Sequence, residues 1–218
     1  MKIIIFGATG MVGQGVLREC LLDPAVHQVL LVGRQASSAE HGKIKQIVLP
    51  DLLAIDSVAG QLTGYDACFF CLGVSSVGMS ESDYHAVTYD LTLAVATTLA
   101  RLNPNLTFVY VSGAGTDGSE QGRSMWARVK GKTENALLRL PFKAYMLRPG
   151  AIQPLHGVQS KTRWYRLFYL LSAPLLTLLV RWLPKQVTTT EQMGRAMLAL
   201  VRRGAPKRVL ETVDINTL

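Results

Sequence analysis

A glycine-rich turn directly behind the first apolar run constrains this chain more than any other feature. Ile3-Ile4-Ile5-Phe6 is a buried-strand candidate. Gly7-Ala8-Thr9-Gly10-Met11-Val12-Gly13 follows it and opens an amphipathic stretch that reads as a helix through Leu22. A strand, a tight glycine turn and a helix, in that order, make the phosphate-approach element of a dinucleotide site. Amide donors at the helix N-terminus must come close to the pyrophosphate, and a β-carbon at Gly7, Gly10 or Gly13 would obstruct that approach. Thr9, Met11 and Val12 complete the expected cofactor loop. The spacing is G-x-x-G-x-x-G and not G-x-G-x-x-G, so its weight comes from the strand-to-helix context.

Apolar runs and amphipathic stretches go on alternating downstream. Gln28–Val32, Lys45–Leu49, Ala67–Leu72, Thr107–Val111 and Lys143–Leu147 read as further strands. Helices are expected over about 83–101 and 124–140. Near-continuous apolar strands spaced by helices predict a parallel sheet covered on both faces. Right-handed crossovers then build a doubly wound, Rossmann-like α/β domain. With 218 residues, 49% apolar and 17% charged, the chain is neither disordered nor low in complexity. One domain over 1–218 is expected, with 155–190 as a helical, apolar insertion on the substrate or interfacial side.

The end of the second strand bears on the cofactor. An NAD site would place an acidic side chain there, on the ribose hydroxyls. This chain has Leu31-Val32-Gly33-Arg34. Arg34 can lie against an adenine and form a charge-assisted contact with a 2′-phosphate, which favours NADP(H) over NAD(H). The formal charge of +8 also favours anionic partners.

Gly7-Ala8-Thr9-Gly10 with Gly13, Cys71-Leu72-Gly73, Val111-Ser112, Val129-Lys130-Gly131 with Glu134, and Arg148-Pro149-Gly150 occur in that order. Together they resemble an atypical short-chain dehydrogenase/reductase, in particular the small NAD(P)H-binding branch that includes the Tat-interacting protein-like oxidoreductases. The resemblance covers residues 1–155 and is looser beyond. It implies that Asp51 and Leu52 lie beside the adenine and that Leu72 and Gly73 pass close to the adenosine ribose. It further implies that Ser112 polarises a substrate carbonyl, that Lys130 holds the nicotinamide ribose, and that Pro149, Gly150 and Ala151 line the nicotinamide pocket. One position departs from the pattern. The family's tyrosine acid stands four residues before the lysine, one helical turn away, and here that residue is Trp126. An indole N–H donates but does not titrate usefully. Tyr84, Tyr89 and Tyr110 are alternative acids that no spacing recommends. Two functions follow: an NADP(H)-dependent oxidoreductase acting on a small or lipophilic substrate, or a non-catalytic NADPH-binding sensor or scaffold. A nucleotide-sugar epimerase is disfavoured, because few residues follow Gly150 to build a substrate lobe.

The remaining signals read as structural. Cys68-Phe69-Phe70-Cys71 has C-x-x-C spacing, but positions i and i+3 of a strand face opposite ways, and no second pair completes a metal site. Gly131-Lys132-Thr133 lacks the upstream glycine of a phosphate loop. The four histidines are scattered, and no metal site is expected. Thr188-x-x-Glu191 resembles a capping box before a final helix, Gln192 to Arg203. The basic set Arg202, Arg203, Lys207 and Arg208 comes without a groove-reading motif, so no nucleic-acid partner is expected. Within 164–183, the run from Leu167 to Val180 carries no charge and is bracketed by Lys161, Arg163, Arg166, Arg181 and Lys185. It suits a pocket cover, a homodimer contact or a peripheral membrane contact. Three cysteines and no evident secretory signal predict a cytoplasmic protein, peripheral at the inner face of a membrane if that run meets lipid.

Overall fold

The computed structural model describes residues 1–158 and 186–218. The chain begins with β1 (Lys2–Phe6), α1 (Met11–Leu22), β2 (Gln28–Gly33) and β3 (Ile44–Val48). A 3₁₀ segment (Leu52–Gln61) leads to β4 (Ala67–Phe70), then α2 (Glu81–His85) and α3 (Leu91–Leu102). Next come β5 (Thr107–Val111), α4 (Met125–Leu138), β6 (Lys143–Arg148) and β7 (Ala151–Gln153). The described chain resumes with β8 (Val187–Thr189), α5 (Thr190–Arg203), β9 (Val209–Glu211) and α6 (Thr212–Thr217).

Seven strands form a parallel sheet in the order β3-β2-β1-β4-β5-β6-β9, and β7 and β8 pair separately in parallel. Ile5 of β1 sits between Leu31 of β2 and Phe69 of β4. From β1 the chain winds first one way, to β2 and β3, and then the other, from β4 onward. The crevice at the carboxyl ends of β1 and β4 is therefore the topological switch point, where open α/β sheets bind ligands.

Strand alternation divides the core. Ile4, Phe6, Cys68, Phe70 and Phe108 face α3, α4 and the 3₁₀ segment, and the Phe70 and Phe108 rings stack at 5.8 Å. Ile3, Ile5, Phe69 and Val109 face α1, α5 and α6, against Val16, Met193, Met197 and Ile215. Helices α1 and α5 meet almost backbone to backbone. A β-carbon added at Gly15 would fall 2.5 Å from the Thr190 β-carbon, and one at Gly194 would fall 2.7 Å from the Glu19 γ-carbon.

Several expectations need correction. The helix expected over 83–101 is broken into α2, a π-turn (Ala86–Asp90) and α3. The Thr92 hydroxyl bonds the Thr88 carbonyl within this widened stretch, satisfying a group that the α-helical ladder would otherwise take. The cap on α5 is Thr189 and not Thr188: its side chain accepts from the Gln192 N–H. The Thr188 hydroxyl is buried without a hydrogen-bond partner among the described residues, and the Glu191 carboxylate turns to His156 and Arg195. The chain does not finish at this helix, because β9 and α6 extend the sheet and its cover. Cys68 and Cys71 belong to opposite faces of the sheet. The described ends of 155–190 are a turn at His156-Gly157 and strand β8, with α5 starting at Thr190. The apolar run 164–183 lies outside the described residues.

Candidate functional site

The glycine loop is a cradle that tolerates no side chain at two of its three glycines. Gly7 has φ +80°, and a β-carbon there would lie 2.8 Å from the Cys71 and Leu72 backbone. At Gly13 it would lie 2.1 Å from the Gly7 carbonyl oxygen. Gly10 differs: its β-carbon would meet only that oxygen, at 3.3 Å, and otherwise point into open space. Gly10 N–H donates to the Gly7 carbonyl, and Gln14 N–H donates to Gly10 as the first turn of α1 closes. The amides of Met11, Val12 and Gly13 precede that closure and stand at the positive end of α1, where no acidic side chain competes. These observations fit a dinucleotide pyrophosphate over Gly10.

Beside the loop a cleft of about 390 Å³ runs along the ends of β1, β2 and β3. It brings together Gly7, Thr9, Arg34, Leu52 and Leu72, as expected from the sequence, and adds Ala8, Gln35, Ser37, Gln46 and Pro50. No carboxylate borders it. Arg34 is exposed and, among the described residues, has no ion-pair or hydrogen-bond partner. Asp51 does not join the cleft. Its carboxylate accepts from Leu53 N–H at 2.9 Å and caps the 3₁₀ segment. Gly73 lies past the lining, and a β-carbon there would meet nothing within 4 Å among the described residues.

A second group gathers past the carboxyl ends of β5 and β6. Ala114 N–H donates to the Pro149 carbonyl, Gly150 N–H to the Thr212 hydroxyl, and Ala151 N–H to the Gln186 carbonyl. These bonds hold Pro149-Gly150-Ala151 between the Ser112 loop and the C-terminal elements. Ser112 is buried, with its hydroxyl 2.8 Å from that of Thr116, which itself donates to the Gly113 carbonyl at 2.7 Å. With the Thr116 proton committed to Gly113, Ser112 is the donor of the pair.

Lys130 Nζ lies 3.4 and 3.2 Å from the Val111 and Ser112 carbonyl oxygens. Burial lowers its pKa to about 8, against the pull of the Glu134 carboxylate, which raises it. Glu134, one turn further on, is itself buried and paired with Arg148. Trp126 stands at the acid position, its indole against Gly115. Among the described residues, none of the three candidate tyrosines is presented as a free phenol beside Lys130. Tyr84 and Tyr110 are enclosed, and burial pushes both phenols up. Tyr89 packs with His85 and Lys132. Sequence reasoning missed Gln46, Ser37 and Thr116. Each acts through a contact that sequence spacing does not announce.

Residues 7–154 match the family model described as NAD(P)H-binding. Protein fmp52, mitochondrial, of Emericella nidulans is 31% identical over 159 residues, covering 69% of this chain and 66% of that protein. Protein HTATIP2 of Rattus norvegicus is 29% identical over 155 residues, covering 69% and 62%. The matches thus span just under two thirds of these relatives' own length. Among solved structures, the Bordetella bronchiseptica enzyme WbmF in complex with NAD⁺ superposes with a TM-score of 0.68 at 15% identity, covering 99% of this chain and 76% of that one. The UDP-N-acetylglucosamine 4-epimerase of Methanobrevibacter ruminantium gives 0.69 at 13%, covering 95% and 74%. At that identity the likeness is one of fold. The cytoplasmic expectation is overturned by the Fmp52 relatives, which are named mitochondrial proteins. No helix among the described residues is long and apolar enough to cross a membrane. The cradle, the cleft and the matched family model agree: the chain belongs to the NAD(P)H-binding family of the atypical short-chain dehydrogenase/reductases.

Proposed function

We propose that the chain is an NADP(H)-dependent oxidoreductase whose chemistry does not run through a tyrosine acid. The observation that carries the cofactor choice is Arg34, a guanidinium without a partner among the described residues, on the rim of a cleft that no carboxylate borders. Gly7, Thr9, Gly10, Met11, Val12 and Gly13 would hold the pyrophosphate, and Arg34 the 2′-phosphate. Leu52 and Leu72 would flank the adenosine. Lys130 would anchor the nicotinamide ribose, with Pro149, Gly150 and Ala151 beside the ring. When bound, the cofactor supplies a hydride. The chain's own part is to orient it and to polarise a small or lipophilic acceptor, with Ser112 as polarising donor once its hydroxyl turns from Thr116.

A second reading, a non-catalytic NADPH-binding sensor, is favoured by one pair of observations. Trp126 occupies the acid position, and the Ser112 proton is already committed to Thr116. Titration calorimetry with NADPH and NADH tests the shared part, and equal affinities would remove the NADP(H) assignment. NADPH oxidation followed across a panel of aldehydes, ketones and enones separates the two readings. Turnover with any of them supports the oxidoreductase; tight binding with no turnover supports the sensor.

A further inference from the structure

Residues 34–43, which join β2 to β3, have no regular secondary structure, yet β3 and the residue after it hold both feet of a short arch within them. At the first foot, Leu49 N–H donates to the Gly33 carbonyl at 2.9 Å. At the second, the Gln46 side chain takes both backbone groups of Ser37. Its Oε1 accepts from the Ser37 N–H at 2.8 Å, and its Nε2 donates to the Ser37 carbonyl at 3.0 Å. Arg34, Gln35 and Ala36 are suspended between these two points. One amide bonded to both the donor and the acceptor of a single residue sets that residue's orientation much as a paired strand would. The Ser37 hydroxyl oxygen accepts from Ala39 N–H at 3.2 Å, which leaves its proton for another acceptor. Arg34, Ser37 and Gln46 all border the cleft.

The geometry points to Gln46 as a positioning residue, and Ser37 as a binding residue, for the 2′-phosphate of NADPH. Gln46 fixes the arch so that the Arg34 guanidinium and the Ser37 hydroxyl are presented to one phosphate together. A fixed arch spares the cofactor the cost of ordering it on binding. NADH has a hydroxyl in place of that phosphate and gains nothing from the arrangement. The inference rests on the NADP(H) reading above.

Dissociation constants for NADPH and NADH, measured by calorimetry on the wild type, Gln46→Ala and Ser37→Ala, test it. Each variant is expected to weaken NADPH about tenfold, the worth of one hydrogen bond to a charged group at the low end, and to leave NADH within about twofold. Amide exchange of the cofactor-free protein separates the two roles: it should quicken over 34–38 in Gln46→Ala and stay unchanged in Ser37→Ala. A wild type that prefers NADPH, with variants that keep the full preference, overturns this inference and leaves the cofactor assignment standing. A wild type with no preference overturns both. Equal weakening of NADPH and NADH would make Gln46 a general structural residue and overturn its assignment to the phosphate.

Discussion

The Arg148 guanidinium meets the Glu134 carboxylate along its edge, with Nε 3.1 and 3.2 Å from the two oxygens and Nη2 2.5 Å from one of them. Glu134 is 1% exposed and Arg148 17%, so this pair ties α4 to β6 out of water. Removing Arg148 strands the buried Glu134 carboxylate, whereas removing Glu134 leaves Arg148 its contact with Glu211 at 3.3 Å. Arg148→Met is expected to cost about 3–5 kcal/mol, and Arg148→Met with Glu134→Ala to recover much of that loss. Urea denaturation of the three proteins measures it. A single variant as stable as the wild type would show that the pair adds nothing.

Loss of the guanidinium at the cleft should be selective. Arg34→Ala is expected to weaken NADPH by about 1.5–3 kcal/mol, or roughly ten- to hundredfold, as for other hydrogen bonds to charged groups. NADH affinity should hold steady. Parallel weakening of both cofactors would count against a phosphate contact.

The glycines should separate into two kinds. Gly13→Ala forces the Gly7 carbonyl to move, so it should lower both thermal stability and NADPH affinity. Gly10→Ala meets little of the protein, since its β-carbon would reach only the Gly7 carbonyl oxygen, at 3.3 Å, and alanine in place of a glycine N-cap costs about 1 kcal/mol or less. It should therefore lower the melting temperature less than Gly13→Ala does and act mainly on NADPH affinity. Melting curves with and without NADPH distinguish them.

Lys130 gives stability a pH signature. Its folded pKa, about 8, lies below the ordinary 10.5, so between those values the unfolded chain holds more protons. Its contribution to stability must then rise as pH rises from about 8 to 10.5. Tyrosines and cysteines titrate nearby with the opposite sign, because burial raises them. The difference between wild type and Lys130→Met isolates the lysine. Denaturant unfolding at pH 7.5, 9 and 10 should show that difference shifting in the wild type's favour with pH, and a flat difference would refute the burial effect.

Turnover of ordinary carbonyls should be slow in the wild type, because general acid catalysis contributes about 10²- to 10⁴-fold. Trp126→Tyr sets a phenol one turn from Lys130 and should raise NADPH oxidation with a reactive aldehyde at least tenfold. No change would mean that the tryptophan is not what limits the reaction.

The doubly wound sheet and the glycine cradle were legible because each depends on local pattern. Apolar runs such as Ile3–Phe6 announce buried strands, and Gly7 and Gly13 announce a turn that no β-carbon fits. Strand β9 was not legible, since Val209–Glu211 is too short to carry a period and pairs only with distant Met146–Arg148. The capping role of Asp51 was not legible, because its carboxylate accepts from the nearby Leu53 amide, a bond that spacing does not announce. Thr188 and Thr189 offered the same hydroxyl to α5, and only the observed backbone shows which one caps it. Gln46 was invisible for a further reason: an exposed glutamine on an edge strand is indistinguishable from any solvated residue until its partner across the loop is known.

The near-contact of Gly15 with Thr190 sets an order on synthesis. The helix that carries the phosphate cradle emerges from the ribosome well before the helix that seals its flank. Until Met193 and Met197 arrive, the Val16 side of α1 lacks the cover that α5 gives it. A nascent chain without α5 would hold its cofactor loop with that flank unsupported. An intermediate stalled before α5 would expose the apolar side chains of α1 that α5 covers.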